Sequence, residues 1–401
     1  MKKYIPLILV LLFTSTLYMT YFTSDVVSFQ IVIYLLILLC YIFSTKCVLR
    51  KANAVYMLLS ALSLCYLIRA FIDIEILDVE QKLYGNDLSV FFFMLNGIVL
   101  PTIIVPRLKL AASYNNTFLM LSVVLVFSLF MTFSNFMQGK IYMSEDHRVM
   151  ANESLSVIQF GHLGLTAVIL GVYFLMKRHE RNLFILLSGA LLFLGVVSMF
   201  LAGTRSAIIA AFFIAALYML AKAKLKLLFI LTVILVSLYL FKDHITSFFD
   251  QFGINSVNRI FAFFEEGGDQ SSGRTILWQK ASSDLSENLL LGVSCFFKYE
   301  DINFVHNSII EITYALGLFG GLSFVYINWI AIKTCIMEFK GNNIDNKCFA
   351  FLYIQYFVYS MFSESIIRLS LYWFFLSIII GMKVKKKYSL NEKRFSCNTN
   401  V

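Results

Sequence analysis

Arg205, Arg274 and His306 are the side chains of this sequence best suited to chemistry. Arg205 stands in Ala202-Gly203-Thr204-Arg205-Ser206, a connection of a few residues between two long apolar runs. Thr204 or Ser206 can cap the helix that follows, whose first amides are unpaired donors with a partial positive charge. A guanidinium at that corner adds a full charge and a planar fork that suits bidentate phosphate binding. The corner is a ready pyrophosphate site. Arg274 follows the turn Ser271-Ser272-Gly273 and opens an amphipathic stretch, Ile276 to Leu285, that could lie on a membrane as a helix. His306-Asn307-Ser308 stands ahead of Ile309-Ile310-Glu311. Asn307 or Ser308 can cap that helix and leave His306 at the membrane boundary. There a neutral imidazole, with a pKa of about 6.5, can accept a proton from a hydroxyl.

The elements that must position these residues follow from composition. The chain has 401 residues, of which 59% are hydrophobic, 16% aromatic and only 14% charged. Soluble domains are about 45–50% apolar and about 25% charged, which excludes a water-soluble globule, a disordered chain and a secreted disulfide scaffold. The net charge of +9 would suit nucleic acid only if basic residues clustered with aromatics in a soluble stretch, and they do not. Apolar runs long enough to span a bilayer occur at roughly 4–23, 26–45, 52–72, 88–105, 117–137, 155–176, 183–201, 204–221, 225–241, 307–332, 348–367 and 369–382. The first resembles a signal peptide but is too long and has no small-residue cleavage site, so it is expected to remain as a helix. The expected fold is an all-α polytopic membrane protein of about 12 transmembrane helices. Nine lie in 1–241, a large periplasmic loop occupies 242–306 between helices 9 and 10, three helices lie in 307–382, and 383–401 is a basic cytoplasmic tail.

Charge sets the orientation. With both termini in the cytoplasm of a bacterial inner membrane, 22 of the 33 basic residues face inward against four acids, Glu180, Glu338, Asp345 and Glu392. Eleven basic residues break the pattern. Five are lysines in outer loops, and the other six are all arginine: Arg69, Arg148, Arg205, Arg259, Arg274 and Arg368. An ionisable group near the bilayer is costly and marks function by default, so a set of outward arginines points to an anionic ligand; headgroup snorkelling is the alternative for Arg69 and Arg368. Glu311 and Glu364 lie near outer helix ends, where they could pair with these arginines. His162, two turns into a span, reads as a hydrogen-bonding residue of the bundle. The seven cysteines form no CxxC or Cys/His cluster, so no metal site and no cofactor are expected. Nothing resembles a nucleotide-binding loop or a serine-hydrolase arrangement.

Three segments together resemble the O-antigen ligase and O-antigen polymerase superfamily of the bacterial envelope. They are Gly203-Thr204-Arg205-Ser206-Ala207, then Gly273-Arg274 through Trp278 to Asn288 and Leu291-Gly292, then His306-Asn307-Ser308-Ile309-Ile310-Glu311 followed by Ala315 to Gly321. The resemblance covers roughly 145–380. It implies a metal-independent glycosyltransferase that takes undecaprenyl pyrophosphate-linked glycans at the periplasmic face, without nucleotide sugar. Arg205 and Arg274 would grip the donor pyrophosphate and His306 would lie beside the acceptor hydroxyl. Arg148, Arg259, Arg69, Asn307 and Arg368 complete the expected substrate-binding set, and a chain-length regulator protein is an expected partner. Ligases often carry a His-Arg-His-like cluster in the smaller outer loop, where this chain has only His147-Arg148 before Asn152. The segment 73–87 carries Asp73, Glu75, Asp78, Glu80 and Asp87 against Lys82 alone, which suits a glycan acceptor better than a phosphorylated lipid. A polymerase is therefore expected, with a ligase as its nearest rival and a lipid-linked oligosaccharide flippase as the rival of another class. A flippase should carry charges through the full depth of the bundle, whereas here they are confined to its outer edge.

Overall fold

Long apolar stretches can satisfy their own backbone inside a bilayer only as helices or closed barrels, and this chain forms helices. The computed structural model describes residues 8–12, 32–33, 35–40, 54–81, 87–108, 114–140, 142–143, 149–150, 156–177, 182–224, 226, 229, 233, 237, 240–250, 274–297, 299 and 304–383. Within them run α1 (Ala54–Ile76), α2 (Asp87–Arg107), α3 (Asn115–Met137), α4 (Val157–Met176), α5 (Asn182–Ala202) and α6 (Arg205–Ala221). There follow α7 (Lys242–Asp250), α8 (Arg274–Glu287), α9 (Ser308–Lys340), α10 (Ile344–Phe362) and α11 (Ser370–Lys383). A two-stranded antiparallel ladder, Tyr142–Met143 with Val149–Met150, joins α3 to α4. Six helices, α1 to α5 and α9, are long and apolar enough to cross a membrane, and α6 and α11 are shorter apolar helices. The expected spans 4–23, 26–45 and 225–241 fall largely outside the described residues. Arg148, Arg259 and the tail from 384 lie outside them altogether.

The centre of the bundle is α10 and α11, with Tyr353, Tyr356, Tyr372 and Trp373 fully buried. Polar groups at this depth need partners, and Asn328 and Asp345 each gather at least two. Asn328 Oδ1 accepts from the hydroxyls of Tyr353 and Tyr372, each at 2.7 Å. At one end of the bundle Asp345 binds the Lys177 ammonium at 2.9 Å and the Tyr173 hydroxyl at 2.8 Å. Helices α4 and α5 approach closely because both are glycine at the crossing. A Cβ on Gly164 would sit 2.6 Å from the Gly195 carbonyl oxygen, and the reverse is equally tight.

The apolar run expected to span from 307 to 332 as a single helix does something else. Gly317 has φ 68° and ψ −169°, which breaks α9 into 308–316 and 318–340. The two parts fold back on each other, since a Cβ on Gly321 would collide with the Thr313 hydroxyl. Residues eight apart in a straight helix are about 12 Å apart along its axis. Side-chain pairing gives the directions. Ser308 meets Ser360 at 3.1 Å, and Glu311 meets Ser365 and the amide of Ile366, so 308–316 runs parallel to α10. The remainder is antiparallel to α10, joined to it by a short turn and paired through Asn328 and Tyr353. The spanning helix is therefore 318–340, about 35 Å long. Residues 308–316 form a re-entrant half-helix of about 14 Å. His306 lies at its buried foot rather than at the bundle's end.

Only glycine makes this turn cheaply. The freed backbone groups are taken up by the segment after α8: Leu318 N–H donates to the Leu289 carbonyl at 2.8 Å, and Val293 N–H to that of Tyr314 at 2.6 Å. Gly292, at φ 78°, lets the two strands of chain touch. In Gly317→Ala this nearly glycine-only backbone conformation alone costs about 1–3 kcal/mol, and the new methyl would run into the Leu290 carbonyl. We expect this variant to unfold at markedly lower temperature in detergent. Gly189→Ala, whose methyl meets nothing within 4 Å, should unfold like the parent.

Candidate active site

Four pieces of chain converge at the foot of the half-helix. They are the start of α6, the start of α8, the segment 304–308, and the turn 363–369 between α10 and α11. Asn307 is the N-cap of the half-helix, its Oδ1 accepting from the amides of Ile309 at 3.0 Å and Ile310 at 3.2 Å. At α6 neither expected hydroxyl caps. Thr204 donates instead to the Val157 carbonyl at 3.1 Å, and Ser206 faces inward. Two helix starts with their partial positive charges thus point into one recess, with Arg205 on the first turn of one.

Ser363 ties the recess together. Its hydroxyl donates to Ser206 Oγ at 2.9 Å, and its backbone carbonyl accepts from the His306 ring. His306 Nδ1 is buried and has no hydrogen-bond partner among the described residues. His306 holds this pose from a left-handed backbone, φ 56°, with the Phe304 ring edge-on at 4.3 Å. Burial pushes its pKa down to about 4, helped by the Arg274 guanidinium and opposed by the Ser363 bond. The ring is therefore neutral throughout the physiological range. Protonation removes the lone pair only as pH falls toward about 4. We expect activity, read as kcat/KM, to be level from about pH 8 to 6 and to fall only well below that. A fall centred near 6.5, the ordinary imidazole value, would contradict this environment.

Arg274 opens α8, whose apolar face packs on protein rather than lying free. Leu277, Ala281 and Leu285 recur at helical spacing and are buried against Phe297, Val305 and Tyr314. Each buried leucine contributes about 1.5–3 kcal/mol. Trp278 Nε1 donates to the Val305 carbonyl at 2.9 Å, one residue from His306. Asp284 accepts from the hydroxyls of Tyr299 and Tyr314, both at 2.8 Å. The helix that starts with Arg274 is thus fixed to the segment that carries His306.

Arg69 and Asp73 form a neighbouring latch. The two side chains pair at 2.9 Å, and Arg69 also donates to the Val293 carbonyl. Asp73, fully buried, accepts from the amide of Cys295 at 2.6 Å and the hydroxyl of Ser294 at 3.1 Å. It therefore belongs to α1 and not to a solvated acidic loop. Glu311 takes three donors from two elements: Tyr66 of α1 at 3.4 Å, and from the turn 363–369 Ser365 at 2.5 Å and the amide of Ile366 at 3.2 Å. Arg368 keeps 45% of its side chain exposed and faces Glu364 at 3.8 Å.

The recess thus gathers His306, Arg274, Asn307 and the helix that begins at Arg205, with Arg368 on the same turn as Ser363. Arg69 stands apart, its fork engaged with Asp73 and Val293. The serines escaped the sequence reading, because Ser363 and Ser365 fell inside the expected span 348–367. Their only signal was the cluster Ser360, Ser363, Glu364, Ser365 in an otherwise apolar stretch. Residues 190–325 match the family model for O-antigen ligase. That stretch runs from α5 past Gly317 and contains Arg205, Arg274 and His306. No curated protein matches the chain.

Proposed function

We propose that this multi-helix membrane chain, whose residues 190–325 match the family model for O-antigen ligase, is an O-antigen polymerase. It joins undecaprenyl pyrophosphate-linked repeat units at the periplasmic face of the inner membrane. The donor is the growing chain on its lipid pyrophosphate, and the acceptor is a sugar hydroxyl of a newly arrived lipid-linked repeat. The hydroxyl oxygen attacks the anomeric carbon, the bond from that carbon to the phosphate oxygen breaks, and undecaprenyl pyrophosphate leaves. The hydroxyl proton passes to His306 Nδ1. Negative charge grows on the departing oxygen, so Arg205 and Arg274 stabilise the transition state more than the ground state.

The observation that carries this reading is the buried Nδ1 of His306, without a hydrogen-bond partner among the described residues and under the influence of the Arg274 guanidinium. A chain of acceptor sites deep in the bundle would favour a flippase. At Asn328 and Gln355 the deep polar groups bind one another instead. Deletion of the gene separates polymerase from ligase. For a polymerase, lipid A-core is left capped with a single repeat, because the ligase elsewhere still works. Loss of every attached repeat, with long polymer accumulating on the carrier lipid, identifies a ligase instead.

A further inference from the structure

His162 lies on α4, buried to 1% exposure, one layer behind the recess. Its backbone carbonyl is held by Gln355 Nε2 at 2.7 Å and by the Thr166 hydroxyl at 3.0 Å. Its ring stacks on Tyr359 with centroids 4.0 Å apart. Backbone and ring plane are thus both fixed, and Nε2 is aimed at Ser206 Oγ at 3.0 Å. Ser206 Oγ also accepts from the Ser363 hydroxyl at 2.9 Å. A hydrogen-bonded chain thus joins Ser363, Ser206 and the histidine.

The two serines of that chain reach the recess. Ser206 follows Arg205 on the first turn of α6, and Ser363 supplies the carbonyl that orients the His306 ring. We propose that His162 is a positioning residue, which through Ser206 and Ser363 sets Arg205 and His306 in register with each other. A histidine serving only as bundle packing needs its ring against Tyr359 and nothing at Nε2. A positioning histidine needs the Nε2 hydrogen bond to Ser206. Displacing reacting groups by about 1 Å can cost about 10²-fold in rate, whereas ground-state binding of a long glycan lipid hardly depends on such a shift.

This inference rests on the polymerase reading. Its test uses the full-length protein in proteoliposomes, with lipid-linked repeat units extracted from the source strain. His162→Phe keeps the ring stack and volume but loses Nε2. His162→Gln restores a hydrogen-bonding group near the Nε2 position. We expect His162→Phe to lower kcat about 10- to 100-fold with KM little changed, and His162→Gln to recover most of it. Ser206→Ala should match His162→Phe, and the double variant should be no worse than either, because the two act in one chain. Equal stability of the variants in detergent shows that folding is not what moved. Wild-type kcat in His162→Phe, or a His162→Gln as impaired as His162→Phe, overturns the proposal. Full activity in variants of Arg205 or His306 themselves would overturn the polymerase reading instead.

Discussion

Arg205→Ala and Arg274→Ala should each reduce chain extension by about 10³-fold or more, the range seen when a guanidinium that stabilises phosphate charge is removed. Both proteins should still insert and accumulate. Arg205, half-buried, sits on the first turn of a helix whose register is held by Thr204 and Ser206. Arg274 opens a helix anchored through Leu277, Ala281 and Trp278. Lysine at either position should rescue poorly, because it keeps the charge and loses the bidentate fork. Gel analysis of lipopolysaccharide from complemented deletion strains reads the result. Lysine variants that extend chains like the wild type would show that charge alone suffices.

His306→Ala should cost about 10²–10⁴-fold in turnover, the usual worth of a positioned base. The backbone at 306 is left-handed, a conformation asparagine tolerates better than most residues. His306→Asn therefore separates chemistry from strain. It should be as inactive as His306→Ala while recovering stability that the alanine variant loses. An active His306→Asn would mean that shape at this position, and not the imidazole lone pair, is what catalysis needs.

Much of this was legible in the sequence because bilayer length and hydrophobic runs leave little choice of structure. The runs 52–72, 88–105, 117–137, 155–176 and 183–201 became α1 to α5 with shifts of a few residues. The Asn307 cap and the apolar face of Ile276 to Leu285 were also readable, since both depend on neighbours in the chain. The fold-back at Gly317 was not. Its sequence, Ala315-Leu316-Gly317-Leu318-Phe319, is as apolar as any span, and the turn exists because residues 288–294 satisfy its backbone from elsewhere. The same long-range pairing hid the role of Asp73, which looks like one acid among five until Ser294 and Cys295 are brought to it. It also hid the serines. Ser206, Ser308, Ser360 and Ser363 are separated by up to 157 positions, and no local pattern joins them.

In the proposed function this chain by itself forms glycosidic bonds between lipid-linked repeats. Purified protein in liposomes should therefore be given only undecaprenyl pyrophosphate-linked repeat units, with no lipid A-core and no nucleotide. A polymerase yields a ladder of longer lipid-linked glycans and one free undecaprenyl pyrophosphate for each bond made, both lost in Arg205→Ala and His306→Ala. Product that forms only after lipid A-core is added, or repeats that cross the bilayer without being joined, would contradict that function.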